Sequence, residues 1–373
     1  MNKRFFRIIS ILFTILSLVI LPNNINAQNV NDFQVELTDD LESVIIVRYL
    51  GDARTVTIPA SIEGIPVEII GQGAFYRDRG SSLTSIVIPE GIIIIGGSAF
   101  AGCRNLTTVN LPASLEMIGE EAFAYCSSLT TINLPVGLTD ISSGAFRNCT
   151  SLRTVNFSIN VTTIEQGVFF KCEALRSITL PDSVTEIGNG TFNGCVALTS
   201  VNIPKNLKKI SDSLFAGCSA LKTITLHDDI EYIGASAFAA TGLTQISLPS
   251  KITIINTDTF NSTKLTSISI PEGVTIIGIR AFTKNTALTT IVLPSTIKTI
   301  RAGAFSFCEN LNTVTIPDSV GKIQFEYRSR IADFHSFISN PFFNCTKINL
   351  ASQAALKKRD WDANAANLED SGL

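Results

Sequence analysis

A chain of 373 residues, 45% apolar and only 16% charged, is long enough to bury a large core. Its formal net charge of -3 lacks the concentrated Lys and Arg with which nucleic-acid binders neutralise phosphates, so no nucleic-acid partner is expected. Two histidines and the absence of G-x-S-x-G, H-E-x-x-H and P-loop motifs argue against an enzyme and give no reason to expect a cofactor.

At the N-terminus, Lys3, Arg4 and Arg7 precede an apolar run from Ile8 to Leu21, and Ile25-Asn26-Ala27 offers a small-residue cleavage site ahead of Gln28. That order reads as a secretory signal over residues 1–27, because the run is too short for a comfortable membrane span. An exported chain is expected, secreted or associated with the cell surface, with no transmembrane segment after cleavage. Residues 28–55 follow as an N-terminal cap. Phe33, Val35 and Leu37, then Val44 to Tyr49, flank Thr38 to Ser43, which predicts a β-hairpin lying over the first coil.

Residues 56–350 restate one pattern, clearest as LTTVNLPASLEMIGEEAFAYCSS (106–128) followed at once by LTTINLPVGLTDISSGAFRNCTS (129–151). The opening leucines are Leu83, Leu106, Leu129, Leu152, Leu175, Leu198, Leu221, Leu243, Leu265, Leu288 and Leu311, spaced by 22 or 23. Such a period predicts a leucine-rich repeat solenoid, mainly β: a right-handed coil with a parallel sheet, in about 11 to 12 coils stacked continuously.

Roles inside a coil follow from its spacing. Val109 and Leu111 alternate with Thr108 and Asn110, so a short strand should turn the first pair inward and the second outward. Pro112, with no N–H and a fixed φ, suits the corner where the chain leaves the ladder. Leu115 and Ile118 predict a second short strand, closed at Gly119 by a small-residue turn. The column of Phe75, Phe100, Phe123 and their successors to Phe342 reads as a buried spine.

Eight cysteines in an exported chain invite disulfides, yet all stand three residues after a column Phe, six of them 23 residues apart. In-register side chains on parallel coils keep their Cβ atoms near the strand spacing, too far apart for a disulfide. A reduced, buried column is expected. Without Cys-x-x-Cys spacing, no metal site is. Thr241, Thr263 and Asn285 replace Cys in three coils, which suggests a small group hydrogen-bonded to the turn backbone.

The pattern L-x-x-I-x-L-P, then V or L, then I-G, then A-F-x-x-C resembles the BspA-like leucine-rich repeat family of bacterial surface and secreted proteins. The resemblance implies a non-enzymatic binding protein, often an adhesin that engages host extracellular-matrix or cell-surface proteins. It does not fix a ligand.

Candidate binding residues come from two places. The outward strand positions form polar columns that include Thr108, Asn110, Thr131, Asn133, Thr154, Asn156, Ser200 and Asn202. They read either as residues that suit and pair along a sheet or as an uncharged hydrogen-bonding surface for an extended protein or a glycan. The second place is an insertion, residues 324–341, carrying Phe325, Tyr327, Arg328, Arg330, Phe334 and Phe337, an aromatic and Arg mixture favoured at binding hot spots. A C-terminal capping device is the other reading of that segment. Residues 351–373 form a cap or tail, where Ala354, Trp361, Ala365 and Leu368 at helical spacing predict a short capping helix. The expected partner is an extracellular protein, with a glycan as an alternative. A structural surface protein that self-associates is the competing class.

Overall fold

The computed structural model describes residues 30–76, 82–317, 341–342 and 344–348. The chain falls into two compact units, divided between Thr162 and Thr163. Each is a β-solenoid built from the same coil, and α-helix is absent among the described residues.

The first unit opens with a 3-10 turn at Val30–Asp32, then β1 (Phe33–Leu37) and β2 (Val44–Tyr49), which pair antiparallel. Thr38 closes the hairpin by donating its hydroxyl to Asp40 Oδ1 at 2.7 Å and accepting the Ser43 N–H at 3.1 Å. The first coil holds β3 (Thr55–Thr57), β4 (Ser61–Ile62) and β5 (Ile65–Ile70). Coils then add β6 (Ser85–Val87), β7 (Ile94–Ile95), β8 (Thr108–Asn110) and β9 (Met117–Ile118). Two ladders result: β3, β6 and β8 on one side, and β5, β7 and β9 on another, with β2 parallel to β5 at its edge. Val109 is buried as its spacing demands, whereas Leu111 is only half-buried because the strand ends at Asn110. Pro112 marks that corner, and its carbonyl accepts the Leu115 N–H at 3.2 Å.

A third side is the segment around each Phe, irregular in its dihedrals yet laddered in its hydrogen bonds. Ser98, Phe100 and Gly102 donate their N–H groups to the carbonyls of Glu120, Ala122 and Ala124 in the next coil at 2.8, 2.7 and 2.8 Å. The intervening Ala99 and Ala101 N–H groups turn back to Gly96 and Ser98 at 3.2 and 3.0 Å. This alternation requires left-handed backbone two residues before and two after the Phe. Ser98 (φ 53) and Gly102 (φ 77) flank Phe100, and Glu121 (φ 56) and Tyr125 (φ 61) flank Phe123. The rings stack along the axis, Phe100 on Phe123 at 5.1 Å and Phe123 on Phe146 at 5.5 Å, near parallel, an arrangement that adds to their burial.

The second unit repeats this plan. Phe169, Phe192, Phe215, Phe238, Phe260, Phe282, Phe305 and Phe342 stack with centroids 5.1 to 5.8 Å apart. Strands at Ser267–Ser269, Thr290–Val292 and Thr313–Thr315 form one parallel ladder. The coils opened by Leu221 and Leu243 bury Ile224 and Ile246 at the strand position without forming a strand there. These are the coils of 22 residues, where the repeat is one residue shorter than in most of the chain.

All eight cysteines are buried free thiols. Each described thiol hydrogen bond goes to a Phe carbonyl of the preceding coil: Cys126 to Phe100 at 3.3 Å, Cys149 to Phe123 at 3.2 Å and Cys195 to Phe169 at 3.2 Å. Asn285 does the same work with an amide, donating to Phe260 O at 2.7 Å and Phe282 O at 2.8 Å. Burial pushes the thiols of Cys149, Cys195 and Cys345 up to about 12, so these three stay protonated at neutral pH. The predicted signal segment 1–27 and the predicted C-terminal helix lie outside the described residues.

Candidate functional site

The polar strand columns are held in register by the parallel ladders. Ser85 stands opposite Thr108 and Val87 opposite Asn110, while Thr131 and Asn133 stand opposite Thr154 and Asn156. In the second unit Ser177 faces Ser200. Thr108, Asn110, Asn133, Thr154, Asn156, Ser200 and Asn202 are exposed and Thr131 is half-buried, and no charged residue occupies either column of these strands.

Within this face, hydroxyls and amides divide into two kinds. The threonine directly after an opening leucine can bridge coils: Thr107 Oγ1 donates to Thr84 O at 3.0 Å, and Thr199 Oγ1 to Arg176 O at 3.0 Å. The next position, held by Thr108, Thr131 and Thr154, lies in the strand itself. Asn156 Nδ2 donates to Asn133 Oδ1 at 2.7 Å, an amide pair that leaves one donor on Asn156 and both on Asn133. Asn202 differs. Its amide donates to Leu180 O at 2.8 Å and accepts the Leu180 N–H at 2.7 Å, extending the backbone ladder.

The corner beside this face carries charges in alternation. Lys205 meets Asp182 at 3.1 Å, and Asp229 lies between Lys251 at 2.7 Å and Lys208 at 3.8 Å. The hydrogen bond from Lys251 holds the Asp229 carboxyl below the usual carboxylate range, yet these pairs are exposed and screened. His227 stands where other coils have the corner Pro, its Nε2 3.0 Å from Pro204 O. Residues Phe325, Tyr327, Arg328, Arg330, Phe334 and Phe337 of the insertion lie outside the described residues.

Sequence reasoning missed a groove of about 1010 Å³ on the Phe-loop side of the first unit. Its walls include Gln34 and Arg48 from the hairpin, Gln72 and Tyr76 from the first coil, and Arg104 and Tyr125 from later loops. No periodic signal could have gathered residues from such unequal positions. Among the described residues, no group of three or more His, Cys, Asp and Glu side chains is placed to hold a metal ion. No helix there is long and apolar enough to cross a membrane.

Leucine-opened coils with a strand, a proline corner and a laddered Phe loop define a leucine-rich repeat β-solenoid. The model of the BspA type leucine-rich repeat region matches residues 68–196, 155–264 and 253–352, and the chain belongs to that family. A leucine-rich repeat protein from Bacteroides ovatus is similar at 27% identity and a TM-score of 0.59, over 78% of this chain and 89% of that one. The pneumococcal vaccine antigen PcpA shares the fold at 21% identity and a TM-score of 0.58, over 80% of this chain and 86% of its own. A leucine-rich cell surface protein from Faecalibacterium prausnitzii aligns at 28% identity and a TM-score of 0.49, over 79% and 95%. Among curated proteins, none matches the chain.

Proposed function

We propose that the chain is an exported protein-binding module, acting at the cell surface or in the surrounding medium as an adhesin for host matrix or cell-surface proteins. The observation that carries this reading is the set of in-register, uncharged strand positions Thr108, Asn110, Thr131, Asn133, Thr154 and Asn156 in the first unit, with Ser200 in register with Ser177 in the second, supported by membership of the BspA-type family. Fixed strands hold hydroxyl and amide groups at a regular rise, so an extended partner meets donors and acceptors that lose little entropy on binding. Residues 324–341 are a second binding candidate, because their Arg and aromatic content fits hot-spot chemistry.

The test is binding of residues 28–373 to immobilised matrix proteins and glycans, beside two variants. One combines Thr131→Ala, Asn133→Ala, Thr154→Ala and Asn156→Ala; the other deletes 324–341. Saturable binding to a protein, weakened about tenfold or more in at least one variant with circular dichroism unchanged, is expected. Binding to glycans alone, or equal protein binding by all three, would refute the reading.

A further inference from the structure

The groove of the first unit has a chemistry unlike that of the strand face. Glu121 is the single carboxylate among its lining residues, and Arg147 engages it at 2.6 Å. Arg48 and Arg104 are exposed, and no ion pair to either forms among the described residues. The groove is therefore cationic, with two guanidinium forks available for bidentate carboxylate recognition. Tyr76 and Tyr125 are 52% and 42% exposed, large surfaces of the residue type that anchors protein interfaces.

Tyr125 is also fixed in place. Arg147 donates to its hydroxyl at 3.1 Å and lies 5.4 Å over its ring, so one ring face is backed by a cation whose own position is set by Glu121. Its backbone is left-handed, at a turn position that Gly102, Gly194 and Gly217 occupy in other coils. Asn148, Lys171, Lys284 and Phe307 hold the same left-handed position in further coils, so the turn accepts a large side chain there. Gly73 and Gly102 also line the groove, and such small residues admit close approach of another backbone.

We propose that this groove docks an acidic segment of a partner protein, its carboxylates on Arg48 and Arg104 and its neighbouring apolar side chains against Tyr76 and Tyr125. The proposal rests on the protein-binding reading above and names a site and a ligand class for it. An acidic polysaccharide carries charge of the same sign, but the alternation of cations with rings and the neutral amides of Gln34 and Gln72 suits mixed side chains better than a uniformly charged chain.

The experiment uses an array of short acidic, neutral and basic peptides, with heparin and polygalacturonate spotted beside them. Residues 28–373 are compared with Arg48→Ala/Arg104→Ala, with Tyr125→Asn, and with the strand-face quadruple variant. Asn occupies the same left-handed turn position at Asn148 and Asn344, so Tyr125→Asn should keep the fold. Selective retention of acidic peptides by the parent and the strand-face variant is expected, with loss of about tenfold or more in both groove variants. Acidic peptides held equally by the groove variants would overturn the groove while leaving the protein-binding reading intact. Stronger retention of the polysaccharides, lost in the groove variants, would make the site a glycan site instead. Silence of every peptide spot would overturn the proposal, and the matrix-protein assay then decides the broader reading separately.

Discussion

Two glycines two residues apart show how differently the same residue type serves one coil. Gly188 has an ordinary φ, but a Cβ there would stand 2.4 Å from Gln166 N and 2.5 Å from Glu165 C, backbone atoms of the preceding coil. Gly190 has φ +63 and open space, its nearest neighbour being Asn193 Cβ at 3.8 Å. Gly188→Ala must push two coils apart and should cost about 1 to 3 kcal/mol, as overpacking does. Gly190→Ala meets only the left-handed penalty, partly offset by a stiffer unfolded chain, and should cost about 1 kcal/mol or less. Urea midpoints of the two variants check the order, and an equal or reversed loss would show that coil contact does not set the Gly188 requirement.

Among elements, the Cys column links packing to pH. Cys195 donates to Phe169 O and burial pushes its thiol from 9.0 to about 12. Below pH about 9 the thiol is neutral both folded and unfolded, so its contribution is complete; above that the unfolded chain ionises first and binds fewer protons, so stability falls as pH rises towards about 12. Cys195→Thr keeps a hydrogen-bond donor of the kind found at Thr241 and Thr263 but removes the titration. Its urea midpoint should therefore fall less than the parent's between about pH 8 and about pH 11, and parallel falls would mean that the thiol does not ionise on unfolding. The leucine, phenylalanine and cysteine columns were legible because one chemical type recurs at one spacing. The left-handed columns were not, since Gly, Ser, Asp, Glu, Arg, Lys, Ala, Tyr, Phe and Asn share them, and backbone need there is not written as side-chain type. The strand face was legible from alternation alone, but the use of Asn202 as a surrogate backbone bridge was not, because its sequence context, an Asn two residues before the corner Pro, is also that of Asn133. The groove was hidden because its residues come from a hairpin and several coils.

At the scale of the whole molecule, a stack of coils has ends, and an end exposes both an apolar spine and an unpaired ladder. At the start of the first unit these are covered together. Tyr49 stacks on Phe75 at 5.2 Å, Phe33 meets Phe75 edge-on at 6.5 Å, and β2 pairs with β5. Removing residues 28–50 would bare the Phe75 ring and one edge of β5 at once. Coils couple to their nearest neighbours, so the loss should be felt first in the coil that holds Phe75 and less in those beyond it. The truncated chain should associate through the exposed edge, seen as a mass above monomer in light scattering, with added binding of a hydrophobic dye and faster amide exchange in β5. Gly51→Asp with the hairpin intact cannot mimic this, because it leaves the edge paired and perturbs only the contact with Tyr49, whose ring carbon lies 2.6 Å from where its Cβ would stand. A truncated chain that stays monomeric, with unchanged protection of β5, would show that the first coil closes itself and that the hairpin serves the groove alone.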